Sequence, residues 1–167
     1  MGKINKIAVM TSGGDSPGMN AAIRSVVRTC AFYDKECIGV YRGYQGMIEG
    51  DFTTLTARNI NNIINKGGTI LKSARSDEFR TLEGRKRAFE QLKENDIDGL
   101  VVIGGDGSFT GGLIFQKEFD IPVIGIPGTI DNDIYGTSST LGFDTALNFK
   151  ILLSPSSQWI SINTINS

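Results

Sequence analysis

Apolar residues cluster at positions 6–11 in a short β-rich run that stops at Ser12-Gly13-Gly14-Asp15-Ser16-Pro17-Gly18, the pattern of a strand feeding a loop. Beyond the loop, Met19, Ala22, Ile23, Val26, Val27 and Cys30 recur every three or four residues. That period predicts a helix with one core-facing stripe, capped by Ser16 and started by Pro17. A second strand is predicted over 36–41, a short helix over 59–65 stopped by Gly67-Gly68, and a further strand over 69–71. Residues 83–95 place Arg85, Ala88, Phe89 and Leu92 on one side and charges elsewhere, which predicts an amphipathic helix lying on a sheet. The uninterrupted apolar run 100–103 reads as a central strand buried on both faces, followed by Gly104-Gly105-Asp106-Gly107-Ser108 and another helix. Residues 122–126 read as one more buried strand, ending in Pro127-Gly128-Thr129-Ile130-Asp131-Asn132-Asp133. Strands alternating with helices at these lengths predict an α/β fold, a parallel-sheet sandwich of the Rossmann-like three-layer kind, with right-handed crossovers. No repeat, low-complexity stretch or linker interrupts the chain before residue 149.

Composition narrows the chemistry. With 167 residues, 40% of them hydrophobic, the chain is long enough for one domain with a sizeable core. Seventeen basic and eighteen acidic residues nearly cancel, which argues against a nucleic acid or an anionic membrane recruited by bulk charge and favours a small, locally recognised ligand. No apolar run approaches the roughly 20 residues that span a bilayer, so a soluble, cytoplasmic protein is expected. Cys30 and Cys37 are too few for a disulfide framework or a zinc site and read as core thiols in a reducing compartment. Histidine is absent, so proton transfer falls to a carboxylate, Lys, Tyr or Cys.

In an open parallel sheet the ligand crevice lies beyond the carboxyl ends of the strands, and all three glycine-bearing polar loops fall there. The first, 11–18, can bring main-chain N–H groups and a helix N-terminus to an anion, although an ordinary tight turn would use the same residues. The second sets Asp106 among Gly104, Gly105 and Gly107, joining an uncrowded anion-binding backbone to a carboxylate able to hold Mg²⁺ directly or through water; a capped βα turn is the alternative. Its spacing lacks the third glycine of a dinucleotide fingerprint, and residues 68–73 lack the glycine that a Walker A loop sets before Lys72. The third loop offers Thr129, Asp131 and Asp133, suited to orienting and deprotonating an alcohol, with Asp131 as the preferred base; capping of local N–H groups is the competing use, particularly for Asp133. Phosphoryl transfer asks mainly for positioning, donors and metal. Arg75, in a short polar stretch, is a candidate phosphate contact. Arg24 and Arg28, four apart on the first helix, form a cationic face that a solvated surface would also explain.

Taken together, the segments 11–20, 104–108 and 127–133, in this order and at these separations, closely resemble the signature loops of the bacterial ATP-dependent 6-phosphofructokinase family. The resemblance runs over residues 4–148, the N-terminal half of a family chain. It implies a nucleotide-binding domain over 1–148, normally joined to a second domain. It implies that Gly14, Arg75, Ser76, Gly105, Asp106, Gly107 and Ser108 bind ATP, with Asp106 serving Mg²⁺. Thr129, Ile130, Asp131 and Asp133 would handle fructose 6-phosphate, with Asp131 as proton acceptor in the glycolytic phosphorylation to fructose 1,6-bisphosphate. Glycine at 107 and 128, where diphosphate-using members tend to carry Asp and Lys, points to ATP as donor. Arg24, Arg28 and Arg58 look like effector-site arginines of a homotetramer, though Ala57 stands where an effector arginine often sits and Arg58 is one place later. Residues 149–167 depart from the family and are expected to be an atypical tail produced by a frameshift or truncation, leaving this chain with little or no turnover. A kinase of the NAD or lipid type would share the second loop alone, and a non-catalytic nucleotide-binding remnant, or a partner of a full-length subunit, would keep all three.

Overall fold

The computed structural model describes residues 4–153. A six-stranded sheet forms its middle layer, in the order β3-β2-β1-β4-β5-β6. The strands are β1 (Lys6–Ser12), β2 (Glu36–Val40), β3 (Phe52–Leu55), β4 (Gly99–Gly104), β5 (Val123–Thr129) and β6 (Leu141–Gly142). The helices are α1 (Met19–Phe32), α2 (Gly43–Glu49), α3 (Leu82–Glu94), α4 (Asp106–Phe119) and α5 (Phe143–Leu153). Five strands run parallel; β3 returns antiparallel to β2, pairing Cys37 with Leu55 and Val40 with Phe52. The all-parallel expectation is corrected there: α2 with two residues on either side joins β2 to β3, too little chain for a crossover that would restore the direction.

Period-two alternation divides the core into two layers. Ala8, Met10, Leu100 and Val102 face a cluster that includes Val40, Met47, Phe79, Leu92 and Phe115, beneath α2, α3 and α4. Val9, Val101 and Ile103 face the opposite cluster, built from Met19, Ile23, Val27, Cys30, Cys37 and the segment carrying Ile60, Ile63 and Leu71. β4 is buried at all six positions, the burial expected of a strand covered on both faces. Both cysteines are buried and free, as expected. Arg85 sits on the inner side of α3 because Glu118 of α4 receives its guanidinium at 2.6 and 2.8 Å.

Several expected elements differ. α1 starts at Met19, with Gly18 as its cap in a left-handed conformation (φ 91°), and Ser16 instead donates its hydroxyl to Leu141 O at 3.1 Å. Residues 59–65 form successive turns rather than a helix, broken at Asn62 (φ 62°). Residues 69–71 are not a strand: Lys72 turns left-handed (φ 57°), and Leu71 is buried because it packs where Gly39 has no side chain. The second glycine loop is the end of β4 and the first turn of α4. β5 extends through Pro127 and Gly128 to Thr129 and is not fully buried: Ile124 is 63% exposed. α5 continues through the expected boundary after Asn148 to Leu153; the rest of the expected tail lies outside the described residues.

Candidate active site

The chain leaves β1 toward β2 on one side, while β4 lies on the other, and Ser12 and Gly104 end these two strands as register partners. Two loops therefore diverge from one point, the place where an open α/β sheet opens a crevice. The approach of the two strand ends requires glycine at 104, since a Cβ there would lie 2.4 Å from Ser12 O. Ser108 then ties the loops together, donating its hydroxyl to Ser12 Oγ at 3.0 Å in a buried position.

Above this junction lies a cleft of about 470 Å³. Its floor is Ser12 to Asp15 together with Gly105, Gly107 and Ser108, and one wall is Gly128, Thr129, Ile130 and Asp131. The other wall is Tyr44, Ala74, Arg75, Ser76 and Arg80. The structure thus brings together three of the predicted groups: Gly14 with the 105–108 turn, Thr129 to Asp131, and Arg75 with Ser76. Asp106 is exposed in the first turn of α4, between two lining glycines, and is not itself among the lining residues. Asp133 is also exposed and outside the lining.

A triphosphate fits the floor on two observations. A Cβ built on Gly14, Gly105 or Gly107 meets nothing within 4 Å, so the main chain borders open space at all three. No side chain caps α4, and while Ser108 and Phe109 donate their N–H groups to Gly105 O, those of Asp106 and Gly107 stay available to an anion at the positive end of the helix dipole. Among the described residues no three His, Cys, Asp or Glu side chains gather as a metal site. Mg²⁺ would accordingly take most of its oxygens from phosphate and water, with Asp106 the nearby carboxylate.

The third loop is braced by hydrogen bonds of its own. Asn132, left-handed at φ 52°, receives Thr140 N–H on Oδ1 at 2.9 Å and donates to Ser138 O. Thr140 donates to Thr129 O at 2.7 Å. The capping role expected of Asp133 thus belongs to Asn132. Thr129 Oγ1 accepts the Asp131 N–H at 3.1 Å, which leaves its own proton free for a ligand. The Asp131 carboxylate has no hydrogen-bond or ion-pair partner among the described residues and is open to accept a proton. Gly128 lines the cleft, and a side chain there would start 3.2 Å from the Ile103 side chain and 3.5 Å from that of Met19, a tight fit that the Ile103 side chain would have to ease.

Sequence reasoning missed Tyr44 and Arg80. Tyr44 stacks on Phe79 with ring centroids 3.9 Å apart and donates to Ser108 O at 2.6 Å; burial pushes its phenol well above the ordinary value, so it remains a donor. Seven-residue α2 carries glycines at 43 and 46 and no apolar period that would announce it. Arg80 is exposed beside Asp77 at 3.8 Å, a pairing loose enough to yield to an anion, and its only sequence signal is its nearness to Arg75. Arg24 is half-buried and Arg28 exposed on α1, and Arg58 is exposed in the turns after β3; none lines the cleft.

The family model described as Phosphofructokinase matches residues 6–153, which takes in every loop of the cleft. The chain belongs to the phosphofructokinase family. It is 59% identical over 145 residues to the ATP-dependent 6-phosphofructokinase of Cytophaga hutchinsonii, covering 87% of this chain and 44% of that one. It is 55% identical over 148 residues to ATP-dependent 6-phosphofructokinase 2 of Bacteroides thetaiotaomicron, covering 89% and 45%. A solved phosphofructokinase from Saccharomyces cerevisiae superposes with a TM-score of 0.84 at 41% identity, over 86% of this chain and 22% of that chain. The chain spans a little under half the length of the bacterial relatives it matches. The family expected from the three loops is borne out, as is the three-layer α/β fold. Among the described residues no helix is long and apolar enough to cross a membrane.

Proposed function

We propose that the cleft holds Mg-ATP and that, in the reaction of the ATP-dependent relatives, Asp131 accepts the proton of the fructose 6-phosphate hydroxyl that receives the phosphoryl group. The observation that carries this reading is the shared cleft: the open main chain of Gly105 and Gly107 and the unpartnered Asp131 carboxylate border the same space. The main chain at Gly14 and in the first turn of α4 would receive the phosphates, joined by the Arg75 guanidinium. Magnesium, held by phosphate oxygens with Asp106 directly or through water, would neutralise charge on the transferring group. Thr129 would orient the sugar hydroxyl, beside Ile130, while Asp131 removes its proton as the hydroxyl becomes acidic during transfer. Asp133, outside the cleft lining, would serve as a peripheral contact. Glycine at 107 supports ATP as the donor, since it leaves the phosphate space open and uncharged.

Arg24, Arg28 and Arg58 fit a role apart from catalysis, as contacts for an anionic effector between subunits of a homotetramer. What supports it is that α1 and the segment after β3 pack on the same face of the sheet. A second reading, a nucleotide-binding module without catalysis, would use the open main chain of the floor and leave the Asp131 carboxylate without a role. Calorimetric titration of the 167-residue chain with Mg-ATP, beside a coupled assay with fructose 6-phosphate, tests both. Saturable binding is expected, and turnover should fall at least about 100-fold in Asp131→Asn with binding retained. A folded chain that gives no heat with Mg-ATP would refute the assignment.

A further inference from the structure

The wall that carries Arg75 and Ser76 is the least structured part of the cleft: residues 72–76 belong to no helix or strand. Among the described residues, the stretch 73–77 makes one hydrogen bond beyond the adjoining turn at 78–80, from Ser76 Oγ to Gln45 Oε1 of α2 at 2.8 Å. The direction of that bond is fixed from behind. Gln45 Nε2 donates to Glu49 Oε1 at 2.7 Å, and an ionised carboxylate accepts only, so the carbonyl end of the Gln45 amide must face Ser76. Arg42 anchors the far end by donating to both Glu49 and Asp51. Donation from Gln45 and Arg42 holds the Glu49 carboxyl below the usual range, which keeps it an acceptor at neutral pH.

A serine hydroxyl has one proton and two lone pairs. Here the proton goes to Gln45, and one lone pair receives the Phe79 N–H at 3.2 Å. Toward the cleft Ser76 has a single lone pair left. A phosphate oxygen is itself an acceptor and would be repelled there, whereas a hydroxyl or amino group would be received. Resting on the Mg-ATP reading above, we propose that Gln45 is a specificity-determining positioning residue: it commits the Ser76 proton, so that Ser76 meets a donor on the nucleoside of ATP rather than a phosphate. Arg75 is exposed on a long flexible side chain and reaches phosphate without this device.

Isothermal titration of the full 167-residue chain tests the idea with four proteins: the unmodified chain, Gln45→Met, Ser76→Ala and the double variant. Each is titrated with Mg-ATP, Mg-ITP and magnesium tripolyphosphate, with thermal melting as the check on folding. Each single variant should weaken Mg-ATP about fivefold, the worth of one ordinary hydrogen bond, and the double variant no further. Tripolyphosphate affinity should stay within about twofold of the unmodified chain's in all four. If the Ser76→Ala loss persists with Mg-ITP, the donor is a ribose hydroxyl; if it vanishes, the donor is the adenine amino group. Equal losses for ATP and tripolyphosphate, unchanged ATP affinity in both single variants, or additive losses in the double would overturn the inference while leaving the nucleotide reading intact. An unmodified chain that binds no Mg-ATP would overturn both. Should Gln45→Met fail to fold, Ser76→Ala alone still decides between nucleoside and phosphate.

Discussion

Replacing Gly107 with Asp separates what the fold needs from what the cleft needs. Gly107 sits in the first turn of α4, and a Cβ there meets nothing within 4 Å, so the side chain enters without a clash. Asp is somewhat better than Gly within a helix, and a carboxylate near a helix N-terminus is favourable by about 0.3–1 kcal/mol, so the variant should be more stable by roughly 0.5–1 kcal/mol. For a chain of this size that raises the melting temperature by about 1–4 °C. The same carboxylate would stand beside the proposed phosphates. Taking one net negative charge on Mg-bound triphosphate about 5 Å away, with an effective dielectric near 20, the repulsion is about 3 kcal/mol, or roughly two orders of magnitude in affinity. Gly107→Ala is the control for bulk without charge and should lose much less. Thermal melting and titration with Mg-ATP read the two effects on the same samples. A Gly107→Asp chain that melts several degrees lower would refute the open space at this position. One that binds Mg-ATP within threefold of the unmodified chain would refute the placing of phosphates against Gly107.

Three further outcomes follow from the geometry. Gly104→Ala, with its Cβ 2.4 Å from Ser12 O, should destabilise the chain by about 2–3 kcal/mol, seen as a fall in the urea midpoint; an unchanged midpoint would mean that the β1 and β4 ends can part freely. Tyr44→Phe deprives Ser108 O of a buried 2.6 Å donor and should cost about 1–2 kcal/mol in chemical denaturation. Asp98 accepts the N–H groups of Asn5 and Lys6 at 2.7 and 3.0 Å, and those bonds hold its carboxyl below the ordinary range. Its contribution is therefore present above the ordinary carboxylate pKa of about 4 and is lost as the pH falls through the lower folded value, so the melting difference between Asp98→Asn and the unmodified chain should shrink below about pH 4.

What could be read in the sequence were the elements with enough length to show a period. The 14 residues of α1 and the six buried positions of β4 announce themselves, and so does the α3 stripe. The elements that escaped have too few residues for a period, or their apolar residues are held by something outside them. β3 is four residues long, and α2 is seven with two glycines. Leu71 looked like part of a strand because it is apolar; its partner is the space above Gly39, 32 positions earlier, and no local pattern encodes that. The cleft shows the same division. Its floor and one wall lie in contiguous motifs, whereas Tyr44, Ser76 and Arg80 reach it through the packing of α2 and an irregular segment. The hydrogen bond that gives Ser76 its polarity joins residues 31 apart.

The glycine motifs themselves were ambiguous because two physical demands leave the same letter. A glycine required by the turn needs a left-handed backbone, and Gly13 (φ 88°) and Gly18 (φ 91°) have one. Gly14, Gly104, Gly105 and Gly107 do not; Gly105, at φ −100° and ψ −172°, has an extended conformation open to any residue. The ordinary-turn explanation therefore fails for these four, and only the exclusion of bulk remains. At Gly104 the protein supplies the excluding atom, Ser12 O. At Gly14, Gly105 and Gly107 nothing among the described residues occupies the space, and at these three, all bordering one cleft, the proposed bound group would be the reason for a missing side chain. If alanine were accepted at all three together without loss of Mg-ATP affinity, that reason would be gone and the cleft would be left without its phosphate floor.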